Sequence, residues 1–367
     1  MVIQGFPPKV GGAELQLERL LPRLAERGVS AVVLTRAFGG RPRRERVPGA
    51  EVVRTRVAGA GPLASAVYVA TCVGYLVRRR RSLDLVHAHG ALSEGAIALA
   101  ARALGLPVIV KILRAGHQGD FELLAARPAG RLRTRLLARA AWFVALSDES
   151  RSELIALGVP DERVLVIPNG VDTDEYRPAG ESERTELRAR LGLADAPLVL
   201  FVGRLIDVKG VDTVVRALPE VPELRFLALG DGPEREALIR LAEEVGVAER
   251  ASFPGATARV AEHLRAADVF ALPSRSEGLS NSLLEAMASG LACLATPVSG
   301  TRALLADGRG VLVEPGDVAA WTDALRRVSG DAALRRTLGA AAAEHVREHF
   351  SIETTADRLV AAYERFR

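Results

Sequence analysis

Arg204 and Lys209 stand five residues apart in F-V-G-R-L-I-D-V-K-G, which begins as an apolar run. Two cations at the carboxyl end of a parallel strand can clamp a diphosphate, Arg204 with its forked donor and Lys209 as a point charge. Glu277 and Glu285 lie further on, in S-R-S-E-G-L-S-N-S-L-L-E-A-M-A-S-G (274–290). There Pro273 and Ser274 break the chain, Gly278 permits a tight turn, and Ser280 or Asn281 caps a helix that stops at Gly290. Leu283, Leu284 and Met287 give that helix its core stripe, while Asn281 and Glu285 share another face. The free N–H groups and positive dipole end at the helix N-terminus suit a phosphate. The two carboxylates that bracket it suit hydroxyls. A phosphate flanked by polyols, as in a nucleotide sugar, satisfies both.

Weaker signals surround this core. Gly11-Gly12-Ala13-Glu14 lets a backbone approach a phosphate or sugar closely, and is equally good as a turn. It is not G-x-G-x-x-G, and the next strand ends in Thr35 rather than an acid, so a dinucleotide fingerprint is absent. Gly203 starts the loop that carries Arg204. Gly230-Asp231-Gly232-Pro233 opens space for a flat ligand or makes a plain turn. His87 and His89 end a strand, and His117 follows in a glycine-containing loop. A histidine there can bond a sugar hydroxyl or simply be satisfied internally. No spacing suggests a metal site.

A chain of 367 residues exceeds one typical core and implies two domains. A composition 49% hydrophobic and 26% charged is that of a soluble globular protein. The net charge of +4 does not argue for nucleic acid, because acids are interspersed throughout. It is compatible with anionic ligands or a loose contact with anionic membrane. Cys72 and Cys293 stand in apolar settings, without a disulfide framework, which implies a reducing, cytoplasmic compartment. The N-terminus lacks the pattern of a signal peptide. The apolar run 63–77, followed by Arg78 to Arg81, is too short to span a bilayer. It reads as a helix packed on a sheet or as a membrane-surface helix.

The elements alternate. Strands are expected at 2–3, 29–35, 51–57, 83–87, 107–111, 142–146 and 164–167, with helices between them. Pro22 should kink or shorten the first helix. Residues 38–49 and 113–120 read as loops, and 172–195 as a polar linker. A second series starts at Pro197. Two doubly wound, mostly parallel sheets follow from this alternation.

Together these residues resemble the retaining glycosyltransferases of family 4, which have the GT-B fold. The resemblance rests on V-I-P-N-G-V-D (166–172), F-V-G-R-L-I-D-V-K-G (201–210), L-G-D-G-P-E-R (229–235), A-D-V-F-A-L-P-S-R-S-E-G-L-S-N-S-L-L-E-A-M-A-S-G (267–290) and V-E-P-G-D (313–317). Looser support comes from F-P-P-K-V-G-G-A-E (6–14) and D-L-V-H-A-H-G (84–90). The resemblance implies an α/β fold of two Rossmann-like domains facing each other across a cleft. Residues 1–170, joined by the C-terminal helix 352–367, would bind the acceptor, and residues 171–351 the nucleotide sugar.

It also implies roles. Arg204 and Lys209 bind the donor diphosphate, Glu285 the ribose and Glu277 the donor sugar. The turn Gly278-Leu279-Ser280-Asn281 and Leu284, with Gly203 and Gly232, complete the donor site, and Gly11 and Gly12 face the diphosphate. His89, Arg204, Lys209 and Glu277 form the catalytic set. The family's histidine after the strand at 108–111 is missing here, so His117 or Lys111 takes its place on the acceptor side. The implied reaction moves a sugar from a UDP- or GDP-sugar to a glycan, lipid or small-molecule acceptor, with retention and without metal or other cofactor. Such an enzyme would work in the bacterial cytoplasm or at the inner face of the membrane, in making cell-envelope polysaccharide. A sugar-nucleotide epimerase or hydrolase, or a non-catalytic binding module, are the alternatives.

Overall fold

The computed structural model describes residues 1–8, 11–37, 40–55, 61–114, 119–298 and 300–366. They divide into two compact units, Met1–Gly170 with Ile352–Arg367 and Val171–Ser351.

In the first unit the strands are β1 (Ala31–Thr35), β2 (Arg44–Val47), β3 (Ala50–Arg54), β4 (Val86–His89), β5 (Val108–Lys111), β6 (Trp142–Ala145) and β7 (Val164–Val166). Two runs of strands, β2-β3-β1 and β4-β5-β6-β7, meet at Val2, which bridges both Leu34 and Ala88 in parallel. The stub expected at 2–3 is therefore the centre of the sheet. Its Val2 N–H donates to the His87 carbonyl and its carbonyl accepts from His89, each at 2.9 Å. All pairings are parallel except β2 with β3. Because β4, β5 and β6 are covered on both faces, they read as near-continuous apolar runs rather than alternating ones. Val108, Val110, Phe143 and Ala145 face one layer of helices with Tyr68, Ile97 and Leu137. Ile109 and Val144 face the other layer, with Leu20, Leu24, Ile352 and Leu359.

The second unit holds β8 (Leu198–Val202), β9 (Arg225–Leu229), β10 (Ala251–Gly255), β11 (Val269–Leu272), β12 (Ala292–Ala295) and β13 (Val311–Leu312), ordered β10-β9-β8-β11-β12-β13 and all parallel. The chain winds one way from β8 and the other way from β11. That makes the space above these two strands the switch point, where doubly wound sheets bind ligands.

Three expectations are corrected. The helix Gly12–Glu26 runs unbroken through Pro22; its leucines at 17, 20, 21 and 24 are buried, and that packing outweighs one missing hydrogen bond. The basic loop 38–49 contains β2, an exposed edge strand turned by Gly49 at φ +78°. The polar linker 172–195 contains a helix, Glu181–Leu191, whose Leu187 is buried. Its arginines serve one buried acid. Arg188 bonds Asp268 at 2.6 Å, Arg184 pairs with the other Asp268 oxygen, and the Leu198 N–H donates to Asp268 at 2.9 Å. A segment that looks unanchored by its polarity is thus fixed to the base of β11.

Candidate active site

The loops after β8 and β11 form the switch point of the second unit. They are tied to each other before any ligand is considered. The Arg275 N–H donates to the Val208 carbonyl at 2.7 Å, and the Arg275 guanidinium bonds Asp212 at 3.0 and 3.1 Å. Gly210 has φ +62°, and a Cβ there would lie 2.3 Å from the Pro273 carbonyl. Within this frame the Lys209 ammonium pairs with the Glu277 carboxylate. The same Glu277 oxygen accepts from the Ser274 hydroxyl at 2.8 Å. Ser274 is fully buried, and its carbonyl accepts from Thr296. Glu277 is only 9% exposed and Lys209 20%, so the pair is partly shielded from water and its orientation is fixed by three elements.

The helix Asn281–Ala288 follows. Ser280 caps it, its hydroxyl accepting from the Leu283 N–H at 3.3 Å. The first-turn N–H groups of a helix suit an anion. Glu285 is half-buried one turn further on. Leu284 precedes Glu285 on this helix. Its side chain is fully buried in the core, because its position on the helix faces the sheet. Arg204 is exposed on the first loop.

The loop after β9 abuts the one after β8 backbone to backbone. Gly203 N donates to the Leu229 carbonyl and Leu205 N to the Asp231 carbonyl, at 3.0 and 2.9 Å. A Cβ at Gly230 would lie 1.8 Å from the Gly203 carbonyl, and one at Gly232 2.1 Å from that of Leu205. The missing side chains make room for the neighbouring loop.

In the first unit, His89 and Lys111 are register partners at the carboxyl ends of β4 and β5. Both are buried, at 4% exposure. Lys111 donates to the Asn169 side-chain oxygen at 2.7 Å, and burial lowers its ammonium to about 8. His89 stacks on His87 with centroids 4.4 Å apart. His87 bonds the Tyr363 hydroxyl at 2.6 Å. Burial drives both imidazoles well below their usual range, so both are neutral, and the His89 Nε2 has no hydrogen-bond partner. Nearby in sequence, burial raises the Glu94 carboxyl to about 7, and its Oε1 has no hydrogen-bond partner. Gly11 and Gly12 begin the helix Gly12–Glu26, and a Cβ on Gly11 would lie 2.4 Å from the Glu14 carboxylate. His117 lies outside the described residues. Among the described residues, no cluster of three or more histidine, cysteine or acidic side chains is placed to hold a metal ion.

Sequence reading singled out Lys209, Glu277 and His89 but missed Ser274, Arg275 and Asn169. Ser274 and Arg275 stand in the quoted segment, and Asn169 in V-I-P-N-G-V-D. Arg275 and Asn169 have their partners on other segments, which no spacing along one segment reveals, while Ser274 bonds Glu277 within its own loop.

Two nucleotide-binding-type units of this topology define the GT-B class of glycosyltransferase. Residues 10–175 match the family model described as Glycosyltransferase Family 4, and residues 196–331 match Glycosyl transferases group 1. Relatives include D-inositol 3-phosphate glycosyltransferase of Nocardia farcinica, 33% identical over 96% of this chain and 84% of the relative. The enzyme of the same name in Geodermatophilus obscurus is 34% identical over 96% and 84%. Among solved structures, sucrose-phosphate synthase of Thermosynechococcus elongatus is similar with a TM-score of 0.80 and 24% identity, covering 99% of this chain and 95% of that one. HepE of Anabaena, solved with UDP and glucose, has a TM-score of 0.82 and 23% identity, covering 99% and 98%. The chain belongs to glycosyltransferase family 4.

Proposed function

We propose that this glycosyltransferase takes its sugar from a nucleoside diphosphate donor held at the switch point of the second unit, and passes it with retention to a carbohydrate or lipid-linked acceptor. The observation that carries the reading is the Lys209–Glu277–Ser274 network beside the N-terminus of Asn281–Ala288. Arg204 and Lys209 neutralise the diphosphate as it leaves. The helix N-terminus adds fixed N–H donors, and such preorganised charge is the largest protein contribution when negative charge develops on a leaving group. Glu277 orients sugar hydroxyls and Glu285 the ribose. The leaving diphosphate accepts the acceptor's proton, so the family's chemistry runs without a metal or a carboxylate nucleophile.

UDP is the expected nucleoside diphosphate, since HepE was solved with UDP and glucose. The relatives named for D-inositol 3-phosphate make a polyol or sugar phosphate the first acceptor class to try. Residues 1–170 with 352–367 supply the acceptor side, with His89 and Lys111 there, and 171–351 the donor side. Gly11 and Gly12 are assigned to the diphosphate. The reading includes work in the cytoplasm against the inner face of a membrane. Among the described residues, no helix is long and apolar enough to cross one.

Thermal shift across UDP-, GDP- and ADP-sugars tests the donor half. A ligand at one hundred times its Kd adds about 2.7 kcal/mol of stability, so one donor should stand out. Arg204→Ala and Glu285→Ala should abolish that shift. If both variants keep it, the donor site is elsewhere. Donor consumption without any acceptor would point to hydrolysis or epimerisation instead.

A further inference from the structure

The helix Pro62–Arg79 is apolar on two opposite faces. Ala64, Tyr68, Cys72 and Leu76 are buried in the core of the first unit. On the other side Leu63, Ala66, Ala70 and Val77 are exposed, Leu63 by 79% and Val77 by 51%. A helix that merely covers a sheet needs one apolar stripe, so the second stripe calls for a second apolar environment. It ends in Arg78, Arg79, Arg80 and Arg81, all exposed and none in an ion pair among the described residues.

A second helix repeats the pattern. On Gly130–Ala140, Leu132 and Leu136 are 58% and 45% exposed, and Arg131, Arg135 and Arg139 are exposed around them. Both helices pack against Ser93–Ala103 and share one core cluster with it, so they lie in one layer and their outer faces look the same way. The middle helix adds exposed Arg102 and Ala103. Neither outer helix contains an acid, and Glu94 of the middle one is buried. The acids that flank the layer in sequence, exposed Asp84 and Glu122, are far outnumbered by these arginines.

We infer that this three-helix face docks on an anionic lipid bilayer. Its leucines and valines enter the boundary between headgroups and acyl chains, and its arginines meet the lipid phosphates. Charge complementarity selects this occupant over a second copy of the chain. A two-fold pairing of the face with itself would set arginine against arginine. The face belongs to the first unit and the donor loops to the second, so its test does not depend on the proposed transfer reaction.

The test is sedimentation of the full chain with vesicles of phosphatidylcholine alone and of phosphatidylcholine mixed with phosphatidylglycerol. The protein should bind the mixed vesicles and be released by high salt. Arg78→Glu with Arg79→Glu should weaken partitioning roughly tenfold or more. Leu132→Ser with Leu136→Ser should weaken it without changing its salt dependence. Unchanged melting temperature, and an unchanged thermal shift with whichever nucleotide sugar stabilises the wild type, show that neither variant acts through folding or the donor site. No binding to mixed vesicles, equal binding to both kinds, or binding that survives both double variants overturns the inference. So does self-association in light scattering that the serine variant abolishes while vesicle binding persists.

Discussion

Lys209 and Glu277 neutralise each other across two loops, so each substitution leaves a charge behind. Lys209→Ala strips the diphosphate clamp and leaves the Glu277 carboxylate with the Ser274 hydroxyl as its remaining partner. A fall in kcat of about 100-fold is expected, the usual loss when one preorganised donor to a developing charge is removed. Steady-state kinetics would check it, and a KM-only effect would remove Lys209 from the transition state. In the first unit, Glu94 carries a prediction of a different kind. Burial raises its carboxyl from 4.5 to about 7. Between those pH values the unfolded chain releases a proton that the folded protein keeps, so stability falls as pH rises through the window. The cost is on the order of 3 kcal/mol, at about 1.4 kcal/mol per pH unit. Glu94→Gln should therefore raise the melting temperature at pH 8 and change it little at pH 4, and calorimetry at the two pH values decides. Lys111 has the opposite sign. Its ammonium is lowered to about 8 by burial, so its burial cost fades as pH rises above that value.

At the scale of the element, the donor loops are held by backbone contacts that only glycine permits. Gly230 sits at φ +146° with the Gly203 carbonyl where its Cβ would be. Gly230→Ala should push the two loops apart, lower stability by roughly 2 kcal/mol or more, and weaken donor binding as well. Ser280→Ala removes only the cap of Asn281–Ala288 and should cost about 1 kcal/mol. Denaturant titration of the two variants separates them. If Gly230→Ala is as mild as Ser280→Ala, the loop contact is not the constraint. These loops also show what was legible in the sequence. The apolar runs of β8, β9, β11 and β12 stand out in the sequence itself, because strands buried on both faces carry little but aliphatic side chains. The turn at 230–233 was readable as glycine-rich, but not the reason. The glycines read as space for a flat ligand or as a plain turn, and the neighbouring loop's backbone lies where their side chains would stand. Likewise the Glu181–Leu191 helix was hidden by its polarity. Arg184 and Arg188 look solvated until Asp268, some eighty residues on, is placed between them. Within the site, Glu277 and Lys209 were legible by type and position, whereas their pairing was not.

For the molecule as a whole, each unit depends on chain that is distant in sequence. Asp268 anchors the first helix of the second unit to its sheet, and Asp268→Ala should cost about 3 kcal/mol by removing the buried carboxylate that Arg184 and Arg188 share. Thermal denaturation would register this while the donor-induced shift stayed intact; loss of the donor shift as well would mean that the two ends of β11 are coupled. The first unit is closed by the helix Ile352–Glu364. Its Glu353 bonds Arg23 and Arg27, both at 2.7 Å, its Asp357 bonds Arg27 at 2.6 Å, and Ile352 and Leu359 cover Ile109 and Val144. Leu20 and Leu24 cover part of that patch, and the rest of its cover is synthesised only after the second unit. During translation the second unit is complete while the first still has part of one face of its central sheet, beside Leu20 and Leu24, open to water. The half begun first is therefore finished second, and until the helix Ile352–Glu364 leaves the ribosome it presents a strip of aliphatic sheet of the kind that chaperones bind.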